Sequence, residues 1–224
     1  MLAVVAISVI VLAMLLPALN QARETATVAT CSANHRNMMQ AFRVYTVENR
    51  RHMPFNNWLS QDGTWRNQGG AGWLYKYPAS YPSPFFTEEH REGGVIWPLL
   101  SSAADVYRCP LEKAPYDTGP TNAITSYLVN GAVTGFGRKL PAYKSFQFRS
   151  DAMLMWEVDD FAPPNYYNDG SSYPSERITR RHGDGLTISF VDGHSELIKY
   201  DEYQIELLES PGRLWCNPGS TNGH

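Results

Sequence analysis

The residues best equipped for chemistry gather in Arg180 to Tyr200, RRHGDGLTISFVDGHSELIKY. His182 stands ten residues before Asp192, Gly193 follows, and His194 comes next, so the stretch reads H-x9-D-G-H. His182, Asp184, Asp192 and His194 form an N/O donor set of the kind that holds zinc. Asp192 together with the Asp159-Asp160 pair offers oxygens that would suit calcium instead. A plainer reading gives the same residues structural work: His182 donates to a carbonyl or carboxylate, and Asp192 satisfies turn amides. Catalysis is not expected. A zinc hydrolase needs three ligands, an open coordination position and a general base, and only the histidine pair hints at these. No nucleophile signature or Gly-rich phosphate loop stands in the sequence, and Gly183-Asp184-Gly185 reads as a turn.

Cysteine and tryptophan supply two further candidate sites. Cys31, Cys109 and Cys216 show no metal-ligand spacing. Cys31 falls on an N-terminal helix and the other two in the head that follows. There, a Cys109–Cys216 disulfide is one expectation for an extracytoplasmic domain, and buried free thiols are the other. Between Phe55 and Ser102 the chain is rich in aromatic residues interleaved with Gly and Pro, and it lacks a clear period. Trp58, Trp65 and Trp73 in this insertion are candidate contacts for a glycan or a partner protein. Their other reading is a satellite core beneath a long loop.

These residues need elements to position them. Leu186, Ile188 and Phe190 alternate with Thr187 and Ser189, Asp192-Gly193 reads as a two-residue turn, and Glu196 to Ile198 return, so a β-hairpin is predicted over about 182–200. Ala152 to Val158 (AMLMWEV) reads as a central strand, and Ser126 to Gly131 as a strand and turn. At the other end of the chain, Met1 to Leu19 carries no charge and at about 1.5 Å per residue is roughly as long as a bilayer's hydrocarbon core is thick. The helical period continues through Ala22, Ala26, Ala29, Ala33, Met38, Phe42 and Tyr45 to Met53, and Pro17 predicts a kink. Small residues nearer the membrane suit close helix–helix approach, and bulky ones suit contact with the chain's own sheet. Domains of 1–53, the stem, and 54–224, an α+β head, follow. With 224 residues, a net charge of −3 and charged residues at 18%, the chain has room for one core and no long basic run for nucleic acid.

Ala13 to Ala26 (AMLLPALNQARETA) resembles the distal part of the N-terminal segment of bacterial type IV pilin-like proteins and type II secretion pseudopilins. Cys31-x-x-Asn34, then Ala41, Tyr45, Glu48, Asn49 and Pro54, is similar to the end of the long helix in a pseudopilin subfamily. His182 to Gly193, preceded by YRCP at Tyr107 to Pro110 and by SYLVN, and followed by Leu214-Trp215 and Asn217-Pro218, resembles the prepilin-type processing-associated H-X9-DG domain. Aligning the family's kink proline with Pro17 places Met1 just after the family's glutamate. Either the chain is a fragment of a processed precursor, or it is not processed as a prepilin. The resemblance implies a long helix, transmembrane over its first third, packed on an antiparallel β-sheet. It further implies a non-enzymatic subunit that self-assembles with other pilin-like subunits from the inner membrane, its head in the periplasm or in a filament, with a secretion assembly platform as partner. Calcium in the head of some pseudopilins keeps that ion, beside zinc, among the candidate cofactors. A membrane-anchored module that presents the aromatic insertion to glycans or proteins is the alternative.

Overall fold

One helix, α1 (Leu2–Glu48), carries the N-terminal end of the chain, with Pro17 inside it. The computed structural model describes residues 2–57, 70–76, 88–112, 124–158, 170–176 and 178–224. Thr25, Thr27 and Thr30 turn their hydroxyls back onto the carbonyls of Gln21, Arg23 and Ala26, satisfying those donors within the helix itself. The helix changes character along its length. Val5, Val11, Met14, Leu15, Leu16 and Leu19 are exposed, Met14 at 74%. From Cys31 on, Cys31, Asn34, His35, Met38, Met39, Ala41, Phe42 and Thr46 are buried. Their three- and four-residue spacing is that of a single face turned to a core. Among the described residues, no helix is long and apolar enough to cross a membrane.

The helix ends five residues before the expected Met53, at Glu48. The Asn49 side chain takes the carbonyl of Tyr45 and the Arg51 N–H takes that of Thr46. Arg50 and Arg51 then adopt left-handed φ values of 53° and 70°, which turns the chain away while the last carbonyls stay bonded.

Among the described residues five strands make one sheet: β1 (Tyr127–Asn130), β2 (Met153–Glu157), β3 (Ser171–Ser172), β4 (Gly185–Phe190) and β5 (Ser195–Lys199), in the order β3-β1-β2-β4-β5. The expectation of an antiparallel sheet is corrected at one edge, where β3 runs parallel to β1 with Val129 opposite Ser171. A parallel pair needs a long crossover, and the chain between the two strands contains β2. The architecture is therefore α+β, a long N-terminal helix with a five-stranded mixed sheet.

Both faces of the sheet are covered, so β1, β2 and β4 are buried at every residue. On one face Met38, Met39 and Phe42 of α1 pack with Tyr127, Val129 and Met155. On the other, Leu186, Ile188 and Phe190 pack with Trp156, Ile198, Leu214 and Tyr203 of α3 (Tyr200–Glu206). The aromatic insertion joins the first of these cores. Trp73 is fully buried, lies parallel to Tyr107 at 6.2 Å, and donates to the Gly170 carbonyl. Arg91, on α2 (Glu88–Glu92), lies 5.2 Å from both the Trp97 and Tyr107 rings.

Candidate functional site

Where α1 meets the sheet, the contact is partly polar. The Asn34 amide donates to the Arg108 carbonyl at 3.0 Å, and the Cys109 N–H donates to Ser126 Oγ at 2.7 Å. These bonds fix the segment after Tyr107 so that Cys109 faces Cys31, one helical turn before Asn34. The two Sγ atoms are 2.7 Å apart, and both residues are buried. The Cys109 sulfur also lies 3.4 Å from His182 Nε2, which in turn is 3.0 Å from Glu157 Oε1. Glu157 closes the chain of contacts: its Oε2 accepts the Thr187 N–H at 2.7 Å.

Local structure explains why His182 points inward. Its backbone exchanges two 3.1 Å hydrogen bonds with Gly185. Gly183 and Asp184 between them hold φ values of 56° and 64°, so the chain reverses within four residues. At Gly185 a Cβ would stand 2.5 Å from the Ile198 carbonyl oxygen, and only glycine lets the turn seat on β5. The Gly183-Asp184-Gly185 turn read from the sequence is present.

Charge in this closed space is held by proximity. Burial pushes the Glu157 carboxyl up, but the hydrogen bond and charge of His182, with His35 and Arg181 nearby, outweigh it and hold the group down at about 2. For His182, burial pushes down while the bonds to Cys109 and Glu157 push up harder, to about 9. The pair is thus an imidazolium and a carboxylate. The hydrogen bond between the cysteines lowers Cys109 and raises Cys31, and His182 lowers Cys109 further. His35, edge-on to Tyr127 and 2.6 Å from Ser189 Oγ, is pushed down to about 4 by burial and is neutral.

The other end of the H-x9-D-G stretch lies apart. The turn is one residue earlier and one longer than expected: the Gly193 N–H bonds to the Phe190 carbonyl, Val191 and Asp192 occupy the turn centre, and Gly193 follows with φ of 95°. This three-residue loop suits the strand twist because a left-handed glycine follows the turn. Asp192 accepts the His194 N–H at 3.0 Å and also meets the His194 ring. The Arg43 guanidinium donates to the Asp192 carbonyl. β4 therefore runs along α1, with Gly183 beside Glu24, Ser189 on His35 and Gly193 beside Arg43.

This geometry corrects the candidate zinc set. His182 is buried at one end of β4, while Asp192 and His194 are half-exposed at the other, some 20 Å or more away at about 3.3 Å per residue. Asp184 points elsewhere, to Arg180. Asp159 and Asp160 lie outside the described residues, as do Trp58 and Trp65. Trp73 is a core residue and presents no surface to a glycan. Cys109 faces Cys31, whereas Cys216 lies near the Asn130 amide and the Met153 carbonyl. The set brought together instead is Cys31, Cys109, Glu157 and His182, with ligand atoms all within 4.8 Å of one another. Two thiolates on a zinc ion would stand about 3.7 Å apart, so the sulfurs would have to separate to admit one. A carboxylate inside the apolar run AMLMWEV was the one local signal for Glu157; nothing in the sequence pairs residue 31 with residue 109.

Comparison of the chain with protein-family models, with curated proteins and with solved structures finds no match.

Proposed function

We propose that the chain is a pilin-like structural subunit of a type II secretion pseudopilus or type IV pilus-like filament, held in the inner membrane by the first third of α1 and assembled through that helix. The carrying observation is the two-part stem. Beyond Cys31 the helix buries a continuous face against the head, whereas Val5, Val11, Met14, Leu15, Leu16 and Leu19 have no cover from the described head. At about 1.5–3 kcal/mol for a fully exposed side chain, these six, half to three-quarters exposed, leave roughly 5–10 kcal/mol that lipid or neighbouring stems would recover. Between the two halves, Ala22, Ala26 and Ala29 are exposed. Small residues there let stems approach closely, so apolar surface passes from lipid to neighbouring helices at little net cost.

The test is fractionation of cells that produce the native chain or Ala26→Trp. The subunit reading expects native protein in both membranes and sheared filaments, and the variant in membranes alone. Equal behaviour of the two chains would overturn it. The alternative, an anchored binding module, loses one of its three aromatic contacts because Trp73 is buried.

A further inference from the structure

We propose that Cys31 and Cys109 are a disulfide-forming pair that fastens the stem to the head, with His182 and Glu157 placed to hold Cys109 as the attacking thiolate. The two cysteines come from segments 78 positions apart and meet in a space from which water is excluded. Buried thiols are ordinarily inert packing. These differ because one of them, and one alone, has an imidazole against its sulfur, and that imidazole is backed by a buried carboxylate. A positive neighbour is what a thiolate needs in order to form. Cys31 touches Cys109 within the same cluster, in the position of the second, resolving thiol.

The reaction needs an external disulfide as oxidant, and glutathione disulfide serves. The Cys109 thiolate attacks one sulfur of glutathione disulfide, whose S–S bond breaks; one glutathione leaves as thiolate, and Cys109 is left in a mixed disulfide. The Cys31 thiol gives up its proton and attacks the Cys109 sulfur, displacing the second glutathione. Two protein thiols are oxidised to one disulfide, one glutathione disulfide is reduced to two glutathiones, and the two thiol protons end on them. Afterwards the buried pair Glu157 and His182 remains as one negative and one positive charge. Because both sulfurs are closed off once α1 is seated, the exchange belongs to the stage at which the stem docks. Thereafter the stem cannot leave the head without reduction. Cys216 takes no part: it is pushed up to about 12 by burial and lies beside Asn130 and Met153.

Full-length chain, reduced and unfolded, is refolded in detergent micelles with a glutathione/glutathione disulfide couple, acid-quenched, denatured and alkylated with N-ethylmaleimide. Intact mass then counts free thiols, and metal analysis of the refolded protein counts zinc. The pairing expects one adduct in the native sequence, none in Cys216→Ser, and two in either Cys31→Ser or Cys109→Ser, with no zinc. Glu157→Gln should close several-fold more slowly near pH 7 and reach the same single adduct. Three adducts in the native chain overturn the pairing; one zinc per chain would then make the cluster a metal site. Two adducts in Cys216→Ser also overturn it, because Cys216 would then be a partner.

Discussion

Glu157→Gln isolates the buried ion pair at the stem–head contact. Glutamine keeps the shape of the side chain and can still accept the Thr187 N–H, but it presents an amide where a carboxylate met His182. The carboxyl falls from 4.5 in its ordinary state to about 2 in the fold. At about 1.4 kcal/mol per pH unit, the folded state gains about 3 kcal/mol from having Glu157 charged at neutral pH. That gain is complete above pH 4.5 and is lost as pH falls towards 2, because a depressed carboxyl stabilises only while ionised. Removing it should lower Tm near pH 6 by roughly 6–12 °C, at about 2–4 °C per kcal/mol for a chain of this size. Circular dichroism melts of both chains in detergent micelles read this directly. The native chain should also lose stability on acidification below pH 4.5 more steeply than the variant. A variant that melts within about 2 °C of the native chain near pH 6, with the same acid slope, would refute the claim that the buried pair is ionised.

Further outcomes follow from the same fold. His182, raised to about 9, adds stability below its ordinary value of 6.5 that is lost as pH rises towards 9. His35, lowered to about 4, adds stability above 6.5 that is lost as pH falls towards 4; melts should therefore peak near pH 6.5, and His35→Gln should flatten the acid side. Phe42→Ala, at a ring buried against Trp73, should cost about 3–5 kcal/mol and expose the Thr46 region of the stem to limited proteolysis before the rest of the head. Gly185→Ala drives a Cβ to 2.5 Å from the Ile198 carbonyl, so it should destabilise by more than about 1 kcal/mol and show in the melt as a lower Tm.

Much of the frame was legible in the sequence because it rests on local pattern. The β4–β5 hairpin and β2 appear within one or two residues of where alternation and apolar runs place them. The stem's burial begins at Cys31 and takes in Asn34 and His35 before Met38 and Phe42, while Ala33 of the apolar stripe stays exposed. The parallel β3 edge was not legible, because two serines carry no strand signal and the pairing is set by tertiary contact alone. For the H-x9-D-G stretch, the structural roles of both ends could be read: His182 bonds a carboxylate and Asp192 a turn amide. What could not be read was the partner. Cys31, Cys109, Glu157 and His182 come from four separate segments; the fold of the head joins the last three, and the seating of α1 on the sheet brings Cys31 to them. His182 and His194 are close in sequence, but an extended strand carries its two ends apart.

The most direct test of the subunit reading is a photo-cross-linking residue placed at Ala26 in cells that produce the chain. Irradiation is expected to give a ladder of stem-to-stem multimers, with the cross-linked peptides mapping between Ala22 and Ala33. Monomers joined to lipid alone, with no stem-to-stem peptide at any level of expression, would contradict the account.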